Sequence, residues 1–338
     1  MKAITALGPS AAHPEGLLLD TTLSFPPLPG PRDLRVRVEA LAVNPVDRKV
    51  RATLPGEGSG RVLGWDAAGL VEAVGDGVER FRVGEAVIFA GALRRPGCQA
   101  QSVLVDERLA GRCPANVSFA EAAALPLAGL TAWEALFERL GLDAEGSDAG
   151  RTLLILGAAG GVGSMMIQLA RRAGLRVIAS ASRPQSQDWV RRLGAEAVVD
   201  HSQPIGPQLD ALGHATVDAI ANLYDTDAYW TLMAERIRPQ GSIVALVSSQ
   251  GPLDLNPLKS KSARFCWEFM FTRSEHQTAD LAVQGQILDR LADGVEAGSL
   301  ISTAHTRLRP ISAATLEQAY ALLQDGHALG KIVLSGWG

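Results

Sequence analysis

Leu153-Leu154-Ile155-Leu156 is an unbroken apolar run that stops at Gly157-Ala158-Ala159-Gly160-Gly161-Val162-Gly163 and continues into Ser164-Met165-Met166-Ile167-Gln168-Leu169-Ala170. Four apolar residues bounded by glycine predict a buried parallel strand. Val162, Met166, Leu169 and Ala170 recur at helical spacing, so a helix follows directly. Strand, glycine turn and helix in that order constrain the chain more than any other stretch. A glycine turn lets a pyrophosphate approach the backbone, and the unpaired N–H groups and dipole of the helix start favour its negative charge. The pattern from Ala158 is A-x-G-x-x-G, a dinucleotide fingerprint with alanine in the first glycine position. Which dinucleotide it takes is left open by the turn alone.

The texture around the turn is that of an alternating α/β domain. Arg176–Ser180, Glu196–Asp200, Val217–Leu223 and Gly241–Val247 are short β-rich runs separated by helical stretches, and Phe265–Phe271 adds a sixth strand. Such alternation predicts a parallel, doubly wound sheet with right-handed crossovers. The first 126 residues read differently. Leu34–Ala40 alternates apolar with polar, Gly69–Gly75 and Glu85–Phe89 are further strands, and clusters such as Pro26–Pro31 and Gly56–Gly60 separate them. A small β-barrel is the simplest arrangement. Ser118 with Glu121 forms a capping box for a helix that stops around Pro126. A second helix then carries Leu127, Leu130, Trp133, Phe137 and Leu140 on one face, suited to a seam between two domains. Beyond the sixth strand lie a helix through Leu281, Leu288, Leu291 and Val295, a strand at Ser302–Leu308, a helix opened by Ser312, and a last strand, Lys331–Leu334.

Length and charge limit the function classes. At 338 residues and 47% hydrophobic content, two domains with proper cores are expected. A net charge of -4 without a dense Lys/Arg run disfavours nucleic acid and anionic membranes, leaving a small-molecule ligand. The N-terminus lacks a signal-like apolar core and no apolar run reaches about 18 residues, so a cytoplasmic protein is expected. Cys98, Cys113 and Cys266 form no C-x-x-C pair and read as reduced and structural.

Six ordered motifs carry a resemblance that covers nearly the whole chain. They are Asn44-Pro45-Val46-Asp47, Leu63–Gly69, Gly75–Val78 with Phe81–Val87, Leu125–Ala132, the turn at 157–163, and Leu193-Gly194-Ala195. Together they resemble the medium-chain dehydrogenase/reductase superfamily. Asn256–Lys259 and Trp267–Arg273 look most like its zinc-type alcohol dehydrogenase-like branch within the quinone oxidoreductase group. The resemblance implies a GroES-like barrel domain from residues 1–126 and 275–338, around an inserted Rossmann domain at 127–274, and a homodimer joined through the Rossmann sheet edge.

The branch name raises the question of zinc. A catalytic zinc needs three converging N, S or O ligands, and alcohol dehydrogenases of this superfamily draw the first two from cysteine and histidine. Those motif positions here carry Asn44 and Asp66, with Trp65 just before the latter, and the structural zinc lobe's stretch, Arg94–Ala100, has one cysteine. No metal site is expected. For the cofactor, the end of the second Rossmann strand reads Ala179-Ser180-Ala181-Ser182-Arg183-Pro184, with no acid until Asp188. An acid there reads the 2′-hydroxyl of NAD, whereas arginine accommodates the 2′-phosphate of NADP, so Ser182 and Arg183 point to NADPH.

Ala159, Gly160, Gly161, Val162 and Ser180 complete the expected cofactor contacts, and the resemblance adds Leu223, Val247 and Ser248 at strand ends. It also places Asn44, Asp47 and Thr131 near the nicotinamide and a small-molecule substrate. Asn44 would hydrogen-bond a carbonyl oxygen and Lys49 would supply positive charge to a developing enolate. Each has a plainer role as well: a turn at Asn44-Pro45, an ion pair of Asp47 with Arg48 or Arg51, a cap at Thr131. The expected activity is NADPH-dependent, zinc-independent reduction of quinones or related enones, against two alternatives, a zinc-dependent alcohol dehydrogenase and a non-catalytic NADPH-binding protein.

Overall fold

The computed structural model describes residues 1–27, 30–56 and 60–338. Leu28 and Pro29 of the first proline cluster, and Glu57, Gly58 and Ser59 of the glycine-rich one, lie outside the described residues. The chain divides into two compact units, Met1–Leu130 with Phe271–Gly338, and Thr131–Met270.

The first unit opens with β1 (Lys2–Leu7), β2 (Leu17–Thr22), β3 (Asp33–Ala42), α1 (Pro45–Ala52), β4 (Arg61–Val62), β5 (Ala67–Val74), β6 (Ala86–Phe89), β7 (Ser102–Asp106), β8 (Ala110–Arg112) and α2 (Phe119–Ala122), and then enters α3 (Pro126–Trp133). The second unit contains β9 (Thr152–Leu156), α4 (Gly161–Arg172), β10 (Arg176–Ser180), α5 (Pro184–Leu193), β11 (Ala197–Val199), α6 (Ile205–Ala211), β12 (Val217–Asn222), α7 (Thr226–Arg236), β13 (Ile237–Ala245), α8 (Asn256–Lys259) and β14 (Arg264–Trp267). The chain then returns to the first unit through α9 (Thr272–His276), α10 (Val283–Glu296), β15 (Ala304–Leu308), α11 (Ala313–Gln324) and β16 (Lys331–Ser335).

β3 organises the first unit. Leu34, Val36 and Val38 alternate inward and are at most 1% exposed, as the two-residue period of the segment requires. One edge of β3 pairs antiparallel with β5; the other is shared, Asp33–Arg37 with β7 and Ala40–Ala42 with β16. Register shifts in the β3–β5 pairing bend the sheet. The path continues through β6 to β8, and β2-β1-β4 forms a separate small sheet. This is the expected GroES-like barrel unit. Its closing strand comes from the far end of the chain, so β16 completes β3 only after the second unit has been traversed.

The second unit is an all-parallel sheet in the order β11-β10-β9-β12-β13-β14. The order reverses between β9 and β12, which opens a crevice at the carboxyl ends of those strands. Leu154, Leu156, Ile178, Val199, Ile220 and Ile243 lie in one core cluster with Met233 and Leu258 from the helices, which is the Rossmann pattern of strands buried by flanking helices. Two elements differ from expectation. β14 ends at Trp267, and Phe271 lies in the first unit, packed edge-on against Trp65. Helix α2 is a single turn capped by Ser118 and Glu121, and Pro126 opens the next helix rather than ending the last. That second helix loosens into a π-helical segment at Glu134–Arg139, where Leu140 N–H donates to Ala135 O, so Trp133 and Phe137 meet edge-on at 4.8 Å.

Candidate active site

Three chain segments converge at one end of β3. Asn44 stands two residues beyond the end of β3 and caps α1 in extended conformation. On one side Ala42 N–H donates to Asp66 O, which places Asp66 at the mouth of β5. On the other side Val43 N–H donates to Ile332 O, which brings Lys331, the first residue of β16, alongside Asn44. The result is a buried polar array. The Lys331 ammonium lies 2.8 Å from Asp66 Oδ2, donates to Val43 O at 3.0 Å, and donates to Asn44 Oδ1. Asn44 Nδ2 donates to Asp66 Oδ2 at 3.2 Å, and Asp66 Oδ1 accepts from Leu127 N–H, at the start of α3, at 3.1 Å.

Asp47 stands at the third position of α1, where its Oδ2 accepts from Asn44 N–H at 2.9 Å. It forms no ion pair with Arg48 or Arg51 among the described residues. Arg48 pairs with Glu15, and Arg51 makes a two-pronged pair with Glu317 at 2.6 and 2.9 Å. Asp47 is fully buried and its Oδ1 has no partner. Burial pushes its carboxyl up to about 7, against the pull of the Asn44 N–H and the Lys331 charge. Burial also raises Asp66, opposed chiefly by Lys331. Cys98 is buried beside this array, its thiol held to Asp66 O and pushed up by desolvation, which makes it an inert core thiol. Thr131 is buried and lies one turn beyond Leu127 in the same helix, on the second unit's side of the division. The structure thus brings Asn44 and Asp47 together with Asp66. Lys49 is exposed on α1, and the ammonium against Asn44 is that of Lys331 instead.

In the second unit the expected cofactor residues line the carboxyl edge of the sheet. Gly157 ends β9 at φ +81, a conformation that suits glycine, and its N–H donates to Ser180 Oγ at 3.0 Å. Ser180 is 1% exposed, so its hydroxyl oxygen serves to tie β10 to the turn. Gly160 caps α4 and Gly161, Val162 and Gly163 form its first turn, where helix geometry supplies no intrahelical acceptor for the N–H groups. The glycines have different reasons. A Cβ on Gly163 would sit 2.4 Å from Ala158 O, so packing of turn on helix demands glycine there. A Cβ on Gly160 would meet nothing closer than Gly157 O at 3.8 Å, and the fold itself leaves that room open. Ala159, Gly160, Gly161 and Val162 all keep part of their surface. This fits a pyrophosphate cradle at a helix start.

Ser182 and Arg183 follow β10, half-buried, and Arg183 caps α5 with its N–H donating to Ser186 Oγ at 3.1 Å. Leu223 is held at the end of β12 by its N–H to Leu156 O, and Val247 O accepts from Thr226 Oγ1 beyond β13, with Ser248 exposed beside it.

The array in the first unit does not fit a zinc ion. Of the two residues that the resemblance sets at ligand positions, Asn44 presents a neutral amide whose oxygen faces an ammonium, and both Asp66 oxygens already accept hydrogen bonds. A cation placed among them would stand against Lys331. Among the described residues, no three His, Cys, Asp or Glu are grouped so as to hold a metal. Lys331 itself was missed by sequence reasoning. Its one signal was a charged residue opening an otherwise apolar strand, Lys331-Ile332-Val333-Leu334, since lysine is seldom buried without a partner.

Comparison with known proteins follows the same lines. Residues 30–134 match the family model of the alcohol dehydrogenase GroES-like domain, and residues 193–334 that of the zinc-binding dehydrogenases. A zinc-type alcohol dehydrogenase-like protein of Staphylococcus aureus (strain MRSA252) is 38% identical over 322 residues, covering 95% of this chain and 96% of that protein. A chloroplast envelope quinone oxidoreductase homolog of Arabidopsis thaliana is 29% identical, with 91% of each chain covered. Among solved structures, a Rhizobium etli CFN 42 protein, provisionally assigned as a zinc-dependent alcohol dehydrogenase, superposes with a TM-score of 0.94 at 43% identity, covering 100% of this chain and 98% of that one. With barrel unit, Rossmann unit and sequence in agreement, the chain belongs to the medium-chain dehydrogenase/reductase superfamily of oxidoreductases and is quinone oxidoreductase-like.

Proposed function

We propose that the protein is an NADPH-dependent reductase of quinones or related enones that works without zinc. The observation that carries this reading is the Asn44–Asp66–Lys331 array, in which Lys331 is already paired with Asp66 and Asn44, so that it would offer a substrate oxygen an amide N–H rather than a metal. The Staphylococcus relative bears a zinc-type name, and the Arabidopsis relative is described as a quinone oxidoreductase homolog; the donor set here favours the second chemistry.

The open space before Gly160 and the first N–H groups of α4 would take the pyrophosphate, with Ala159, Gly161 and Val162 around it. Ser182 and Arg183 would take a 2′-phosphate, since a guanidinium binds phosphate in two-pronged fashion. Leu223, Val247 and Ser248 would flank the cofactor, and Ser180 would hold the turn in place. When bound, the nicotinamide supplies a hydride. The chain's own task is to receive the charge that develops on the acceptor oxygen. Asn44 would donate to that oxygen, Thr131 would contact the substrate, and Asp47 would hold the Asn44 backbone in place. Quinone products take their protons from solvent.

A homodimer through β14 is part of the proposal. β14 is an edge strand, and Trp267 and Phe269 are 46% and 50% exposed there. Light scattering giving a monomer mass contradicts it.

The functional test is oxidation of NADPH and NADH followed with a quinone, an enone and an aldehyde. Turnover of quinone or enone with NADPH preferred is expected. Arg183→Ala should weaken NADPH by roughly 1–3 kcal/mol while sparing NADH. Tight NADPH binding with no acceptor reduced makes the protein a non-catalytic binder, and equal losses for both cofactors remove the phosphate assignment.

A further inference from the structure

We propose that Lys331 is a positioning residue for this reaction: its ammonium locks and polarises the Asn44 amide, so that one amide N–H is presented to a substrate carbonyl oxygen. The inference rests on the reading of the site as one that reduces conjugated carbonyls.

An ammonium has three protons, and three oxygens surround Lys331 Nζ: Asn44 Oδ1, Asp66 Oδ2 and Val43 O. All three protons are engaged, so Lys331 has none to offer a ligand. The same contacts settle the amide's orientation. Lysine has no acceptor, so the group facing it must be the Asn44 oxygen and not its NH2. Nδ2 therefore points away from the ammonium. One of its protons goes to Asp66 Oδ2 at 3.2 Å, and no acceptor among the described residues takes the other.

Asp66 and Asp47 are 0% exposed, whereas Asn44 retains 3% and Lys331 4%; with the Lys331 protons engaged, Asn44 is the member of that pair with a proton left to donate. A hydrogen bond from a cation to an amide oxygen draws charge toward that oxygen and strengthens the amide's own N–H as a donor, an effect that low local dielectric enlarges. The alternative is a purely structural clasp tying β16 to β3 and β5. Removing one partner of a buried pair costs stability because the other is left unpaired, but a clasp alone would leave any Lys331→Met protein that folds with the wild-type Asn44 response to ligand.

The chain has four asparagines, so asparagine-selective 15N labelling of the full-length protein with NADPH bound gives a side-chain amide spectrum that can be assigned by loss of one pair in Asn44→Ala. Cyclohexanone, a carbonyl without a conjugated alkene, serves as the probe. In wild type it should shift the Asn44 amide pair. In Lys331→Met the shift should vanish and kcat for an enone fall on the order of 10- to 100-fold with KM for NADPH unchanged, and Lys331→Arg should restore part of both. Two results overturn the proposal: no shift of the Asn44 pair in wild type, or a folded Lys331→Met protein with wild-type shift and kcat within about twofold. If Lys331→Met does not fold, the wild-type shift and the Lys331→Arg kinetics decide the matter alone. Absence of any turnover by wild type defeats the reductase reading, and the amide shift is still read separately from it.

Discussion

The two oxygens of Asp47 are in unlike circumstances. Oδ2 accepts the Asn44 N–H, while Oδ1 is buried with no partner, so the side chain is half satisfied as a carboxylate. Protonation relieves the bare charge, which is why burial carries the group up to about 7. An acid raised on folding contributes stability that is complete below its unfolded value, near 4, and is lost as pH rises through about 7. Asp47→Asn keeps an acceptor for the Asn44 N–H and removes the titration. The stability of wild type relative to Asp47→Asn, taken from urea midpoints, should therefore decline from pH 5 to pH 8, with a limiting slope of about 1.4 kcal/mol per pH unit inside the window. Parallel curves would place the proton elsewhere. Lys331 makes a different point at the same scale. It lies 287 residues from Asn44 in sequence, and no local pattern ties the two.

At the scale of elements, the glycine turn separates what the fold needs from what a ligand needs. Gly163→Ala drives a Cβ into Ala158 O and should cost about 1–3 kcal/mol of stability. A Cβ at Gly160 meets nothing closer than 3.8 Å, so Gly160→Val should leave the melting temperature nearly unchanged while abolishing NADPH binding by titration. Loss of stability without loss of binding at Gly160 would mean that the open space serves packing. This turn was legible in the sequence because its strand, turn and helix are contiguous, and β10 spans Arg176–Ser180 as its composition dictates. Long amphipathic elements such as α11, opened by Ser312, were legible for the same reason.

Short elements escaped where tertiary contacts set their limits. β14 stops at Trp267 because its ladder with β13 ends at Ala245, although the apolar run continues to Phe271. The π-helical turn is another case. It turns Glu134 inward to complete burial, and Glu268, paired with Arg139 at 2.9 Å, has its carboxyl raised by burial and by Glu134. Helical spacing alone gave no sign of that pair. In the candidate site, Asn44 and Asp47 were named through the resemblance because they fall in one contiguous motif, whereas the pairing of Asp66 with Lys331 depends on strands closing from opposite ends of the chain.

Across the whole molecule, the inserted Rossmann unit and the barrel closed by β16 follow from one chain path, since β16 joins β3 only after the second unit has been traversed. No helix among the described residues is long and apolar enough to cross a membrane. The family contains zinc-type names, yet in this chain an ammonium, an amide and an acid are already paired with one another where β3, β5 and β16 meet. The central claim is therefore reduction of a conjugated carbonyl without metal, and it is tested most directly by the initial rate of NADPH oxidation with an enone before and after exhaustive chelation, with zinc counted in the protein. The account predicts equal rates and far less than one zinc per chain; stoichiometric zinc, with activity lost on chelation and restored by adding zinc back, would contradict it.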